Sequence, residues 1–118
     1  MRMAKEAVAR DATEVCLQGG IHPSFSGETY LEFAKAIHQV RPDLHIHGFS
    51  PLEIWHGATS LDMTISAYLS KLKDVGLRSL PGTAAEILDD EIRAVICPDK
   101  LSTDLWLDIM ETAHGVGL

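Results

Sequence analysis

Four short strings in this chain bring together residue types that could do chemistry. They are Gln18-Gly19-Gly20 with His22, the pair His45 and His47, Ser79 just ahead of Pro81-Gly82, and Glu86 closing Thr83-Ala84-Ala85-Glu86. The glycine pair follows an alternating run at Thr13–Gln18, and glycine lets backbone approach a ligand because no Cβ stands in the way. Imidazoles two residues apart on a strand project to the same side, and each can take up or release a proton near neutral pH. The same two rings, joined by His22, could instead hold zinc, which accepts histidine nitrogens. Glu53 and Glu86 each also fit the last position of a Ser/Thr-x-x-Glu capping box, a purely structural duty. For Glu53 the cap is the stronger reading. Glu86 follows a turn at a strand end, where a ligand could meet it.

Alternating strands and helices must position these groups. The pattern predicts a helix over Met3–Arg10, broken by Asp11, and a strand ending at Gln18. Tyr30, Phe33, Ala34 and Ile37 give the stripe of an amphipathic helix that Pro42 ends. Leu44–Phe49 is the second strand, and Ser50-Pro51-Leu52-Glu53 opens the next helix with a Ser cap and proline at the first turn. A further helix runs from Ile65 through Leu69, Leu72 and Val75 to Gly76, which leads to a third strand at Arg78–Leu80. Thr83–Glu86 then predicts a helix start, continued by Leu88, Ile92, Val95 and Ile96 up to Pro98. The last helix begins near Ser102, buries Trp106, Ile109, Met110 and Ala113, and stops at Gly115.

Strands separated by helices form a parallel sheet with right-handed crossovers. Parallel strands are normally covered on both faces, yet alternate positions here are polar. Leu44, Ile46 and Gly48 share one face; His45, His47 and Phe49 share the other, and Gln18 lies on the polar side. A barrel accounts for this: the apolar face meets helices and the polar face lines a lumen, with Gln18, His47, Ser50 and Ser79 at its mouth. The expected fold class is therefore α/β, three parallel strands forming the central βα units of an incomplete TIM-type barrel. Both ends look cut, so residues 1–118 read as an internal fragment of a single domain.

Composition excludes several classes. The net charge of −7 and the absence of a basic run argue against a nucleic-acid surface. No apolar stretch approaches the ~20 residues of a membrane span. Cys16 and Cys97 lack CxxC spacing and read as small buried groups, with neither a disulfide framework nor a cysteine zinc site indicated. Trp55, Tyr68 and Trp106 read as packing residues. The chain reads as cytoplasmic.

The strings EVCLQGGIHP, HIHGFSPLEIWHG and SLPGTAAEILDDEIRAVICPDKLS, in that order, resemble the radical S-adenosylmethionine enzymes of the deazaflavin and futalosine pathways. The resemblance implies a (βα) barrel that uses S-adenosylmethionine and a 4Fe–4S cluster. On the deazaflavin side it implies joining the 4-hydroxybenzyl part of L-tyrosine to 5-amino-6-(D-ribitylamino)uracil, with a first synthase subunit or domain as partner. The PGTAAE turn favours that side, because the futalosine enzymes of menaquinone synthesis carry a more glycine-rich turn there. Gln18-Gly19-Gly20 matches the family motif that receives the amino group of S-adenosylmethionine. Ser79 and Glu86 would meet the same cofactor, and His22, His45 and His47 would face the substrates. The family's CxxxCxxC cluster motif is absent, so the cluster ligands lie outside this chain.

Overall fold

Short β-rich runs punctuated by proline, glycine and helix caps produce an αβ succession. The computed structural model describes residues 1–118. It comprises α1 (Arg2–Ala9), β1 (Glu14–Leu17), α2 (Gly27–Val40), β2 (His45–Gly48), α3 (Pro51–Ser60), α4 (Ile65–Asp74), β3 (Leu77–Ser79), α5 (Asp90–Ile96) and α6 (Thr103–Val116). The strands form one parallel sheet in the order β1-β2-β3, as their helical crossovers require. Glu14 pairs with His45, Cys16 with His47, and His47 with Ser79 across a register shift in β3. The architecture is thus α/β with a three-stranded parallel sheet.

Side-chain alternation determines which face is covered. Ile46 and Leu77 point into a single core with Tyr30, Leu31 and Ala34 of α2, Ile54 and Ala58 of α3, Tyr68, Leu69 and Leu72 of α4, and Ile109 and Ala113 of α6. The alternate strand residues stay half-buried or exposed. Two expectations fail on this sheet. Phe49 does not share the histidine face: its φ of 65° turns the chain, and the fully buried ring packs edge-on against Tyr30 at 5.2 Å. Left-handed backbone costs a non-glycine residue roughly 1–2 kcal/mol, here offset by burial of a whole aromatic ring. Cys16 is exposed because it alternates onto the polar face, whereas Cys97 is buried as expected.

The helix expected from Thr83 begins only at Asp90. Asp89 is a stronger cap, since its Oδ1 accepts the N–H groups of Glu91 and Ile92 at 3.1 and 3.2 Å. Arg93 consolidates the change. Its buried guanidinium donates to the carbonyls of Ala85, Ile87 and Leu101, which holds the segment before Asp89 as an irregular loop. Ala84 and Glu86 take left-handed φ values of 65° and 43°. Leu88, Ile92, Val95 and Ile96 consequently lie exposed rather than on a core stripe. α6 starts at its Ser102 cap and runs one residue past Gly115, ending at left-handed Gly117; Ile109 and Ala113 are buried, Trp106 and Met110 only partly so.

Candidate functional site at the strand ends

The glycine turn after β1 is shaped from α3. Glu53, only 4% exposed, closes the capping box with Ser50: its Oε2 accepts the Ser50 N–H at 2.7 Å and the Ser50 hydroxyl at 3.0 Å. Its other oxygen, Oε1, accepts the N–H groups of both Gly19 and Gly20 at 2.6 Å. Four hydrogen bonds thus satisfy a buried carboxylate that has no cationic partner, and charge-assisted bonds of this kind are short and strong. Tyr30 completes the turn by donating its hydroxyl to the Gly20 carbonyl at 2.8 Å. The cap is legible in the local string; the grip on residues more than thirty positions upstream is not.

Beside this turn lies a polar pocket of ≈ 180 Å³, lined by Gln18, Gly20, Ile21, Ser50, Leu52, Glu53, Thr83, Ala84 and Lys100. It draws on the carboxyl ends of all three strands, the end at which parallel αβ sheets bind ligands. Gln18 donates from Nε2 to the Thr83 hydroxyl at 3.0 Å, a bond that ties the end of β1 to the loop after β3. Lys100 is the one cation at the pocket and forms no ion pair. Of the expected site residues, Gln18 and Gly20 line the pocket directly and Gly19 is held behind it. Thr83, Lys100 and Glu53 complete it. The local string marks Thr83 as a helix cap within the PGTAAE turn, and nothing in the spacing marks Lys100.

His45 and His47 lie on the open polar face, as their alternation predicts. Both rings turn to one hydroxyl: His45 Nε2 and His47 Nδ1 each stand 2.7 Å from Ser79 Oγ. Glu14 Oε2 lies 3.8 Å from His45 Nε2. His22 does not join them. It sits in the exposed loop after β1, where Nδ1 bonds the Ser24 N–H at 3.1 Å and the Ser24 hydroxyl at 2.7 Å. No group of three or more His, Cys, Asp and Glu side chains is placed to hold a metal ion, so the His22–His45–His47 zinc alternative fails on geometry. Glu86 is exposed, forms no cap and does not line the pocket. Trp55, expected to be a packing residue, is 38% exposed on the outer side of α3.

Two buried tyrosines make the site sensitive to alkali. Burial, reinforced by the Glu53 charge, pushes the Tyr30 hydroxyl up to about 12 from its usual 10.0, and burial pushes Tyr68 higher still. Tyr68 donates to the Gly27 carbonyl at 2.8 Å. In the unfolded chain both ionise near the ordinary value, so above it the unfolded state binds fewer protons than the folded one. The associated stability is complete below about pH 10 and declines as pH rises from about 10 towards 12. Urea midpoints measured across that window should fall in the native chain. In Tyr30→Phe the fall should be shallower, and an equal fall would show that Tyr30 is not the group concerned.

Fold and site together define a parallel βα segment that gathers backbone amides, hydroxyls and one lysine at the carboxyl ends of its strands. No family model matches the chain. It is 48% identical over all 118 residues to the 5-amino-6-(D-ribitylamino)uracil–L-tyrosine 4-hydroxyphenyl transferase of Methanothermobacter thermautotrophicus, covering 32% of that protein. It is 49% identical over 97% of its length to the transferase of the same name from Archaeoglobus fulgidus, covering 33% of it. Identity to the FO synthase of Streptomyces avermitilis is 47% over 98% of the chain and 13% of the synthase. The chain thus spans about a third of the length of the transferases it matches. Each of these relatives bears the name of a tyrosine–ribitylaminouracil transferase or of an FO synthase, and none a futalosine-pathway name.

Proposed function

We propose that residues 1–118 are the central βα units of a TIM-type barrel in a radical S-adenosylmethionine transferase of deazaflavin (FO) biosynthesis. The parent joins the 4-hydroxybenzyl group of L-tyrosine to 5-amino-6-(D-ribitylamino)uracil, works in the cytoplasm, and acts with a first FO synthase subunit or domain. The observation that carries this reading is near-half identity along essentially the whole chain to transferases of that name.

The strand-end pocket suits the amino-acid end of S-adenosylmethionine. At ≈ 180 Å³ it is smaller than the roughly 300–1,000 Å³ that encloses a drug-sized ligand, so it matches one end of such a molecule. An ammonium needs oxygen acceptors, and Gln18 Oε1, on a residue that lines the pocket, accepts no hydrogen bond from the protein. Lys100 and the Thr83 hydroxyl, which accepts from Gln18 and keeps its own proton to donate, suit a carboxylate. Glu53 holds the turn, its oxygens accepting from Gly19, Gly20 and Ser50. When bound, S-adenosylmethionine supplies the radical chemistry. The residues do not fit an iron–sulfur cluster, which needs several closely spaced thiolates: Cys16 is exposed, Cys97 is buried, and no metal-holding group forms.

Joining the benzyl group to the uracil requires protons to leave the reacting atoms. His47 and His45 are the imidazole bases of the polar face, with His47 nearer the strand ends. In the enzyme that contains this chain, His47→Ala is expected to cut turnover of tyrosine with ribitylaminouracil by roughly 10²-fold or more. Its effect on stability is expected to be small, because the ring is only half-buried. Ile46→Ala, on the covered face, should do the reverse and cost about 2–5 kcal/mol. Anaerobic assays paired with urea unfolding check both. An enzyme that turns over a futalosine-pathway substrate and leaves tyrosine untouched would overturn the reading.

A further inference from the structure

We infer that Ser79 joins His45 and His47 into one proton relay that runs along the polar face of the sheet. A serine hydroxyl carries one proton and two lone pairs. With ring nitrogens 2.7 Å away on both sides, it donates to one ring and accepts from the other, so the state of each imidazole constrains its neighbour. The Glu14 carboxylate lies 3.8 Å from the same His45 Nε2, on the side where that nitrogen acts as a donor. The resulting order is His45 Nε2–H to Ser79 Oγ, and Ser79 O–H to His47 Nδ1.

The transfer balances without any further reagent. A proton taken up at His45 Nδ1 is followed by movement of the Nε2 proton to Ser79 Oγ. The serine proton passes to His47 Nδ1, and His47 releases one from Nε2. One proton enters and one leaves, and the bridging bonds end with reversed polarity, ready to run the other way. His45 pairs with Glu14 at the amino-terminal start of the two strands and His47 with Cys16 two residues nearer their carboxyl ends, so the relay runs along the open polar face towards the mouth. The titratable neighbours are Glu14 and Cys16 on β1 and Arg78 on β3. Arg78 turns its guanidinium to the Lys73 and Leu77 carbonyls rather than to the rings. Serving the transfer reaction in this way rests on the transferase reading; the coupling of the two rings does not.

Imidazole ¹⁵N and ¹H signals of the 118-residue chain, followed through a pH titration, test the coupling without any assay of turnover. Each ring of the native chain should report two shared inflections, because the first proton is distributed over the pair. Ser79→Ala should reduce each ring to a single inflection of its own, and Ser79→Thr, which keeps a hydroxyl, should restore the shared pair. Single inflections in the native chain, or shared inflections that survive in Ser79→Ala, would overturn the relay. The native titration alone decides the matter should Ser79→Ala not fold. A negative titration would leave the transferase reading intact, and a negative turnover assay would leave the relay intact.

Discussion

Replacing Glu53 with alanine is expected to cost about 3–5 kcal/mol of stability. The carboxylate is 4% exposed and accepts from Gly19 N–H, Gly20 N–H, Ser50 N–H and Ser50 Oγ. Its removal strands those donors, at roughly 1–3 kcal/mol for each buried group that water cannot reach. The polar pocket admits water to part of the gap, so the full sum is not incurred. The loss also includes the helix cap, worth about 1 kcal/mol. Glu53→Gln should fall between, because an amide offers one acceptor and opposes an NH₂ group to the remaining N–H donors. Urea unfolding monitored by circular dichroism reads both. A change below ~1 kcal/mol for Glu53→Ala would mean that the turn is held by something other than this carboxylate.

A methyl group at Gly57 should be nearly as damaging, for steric reasons. Its Cβ would lie 2.5 Å from the Tyr68 hydroxyl and 2.6 and 2.7 Å from ring carbons of the same residue. Tyr68 is fully buried and bonded to the Gly27 carbonyl, so the ring has no room to retreat. Gly27 faces the same junction, where a Cβ would meet the Gly57 carbonyl at 2.5 Å. These two glycines allow α2, α3 and α4 to converge behind the strand ends. Gly57→Ala should cost about 2–3 kcal/mol and lower the midpoint of thermal unfolding by on the order of 10 °C. Gly115→Ala supplies the contrast: nothing lies within 4 Å of its Cβ position, inside α6. There alanine should be neutral or stabilising by up to ~1 kcal/mol.

Periodicity made most of this fold legible. The stripes containing Tyr30, Ala34, Leu69 and Leu72 are buried as their spacing requires, and the Ser50–Glu53 cap formed as its string predicts. Failures arose where a distant or competing group decided the outcome. Thr83–Glu86 satisfies a capping pattern locally, but Asp89 offers a carboxylate to two N–H groups and Arg93 gathers carbonyls from 85, 87 and 101. Phe49 broke strand alternation through a left-handed φ that a window of neighbours does not encode. Cys16 followed alternation faithfully onto the polar face, where composition alone had placed it in the core.

The site was legible in part for the same reasons. Gln18, Gly20, His45 and His47 lie where strand parity and the glycine pair put them. The second duty of Glu53, the bridging of two rings by Ser79, and the presence of Thr83 and Lys100 at the pocket depend on residues brought together across the sheet. Local spacing carries no trace of such contacts.

The most direct measurement is an exchange of segments: residues 1–118 replace the matching third of the Methanothermobacter transferase, and the chimera is assayed anaerobically with each pathway's substrates. The chain is predicted to work in place of the native segment. The folded chimera should therefore consume L-tyrosine and 5-amino-6-(D-ribitylamino)uracil at a rate within about tenfold of the intact enzyme, a barrier difference of about 1.4 kcal/mol or less. A chimera that folds with native-like stability but forms no product from that pair would contradict the transferase assignment.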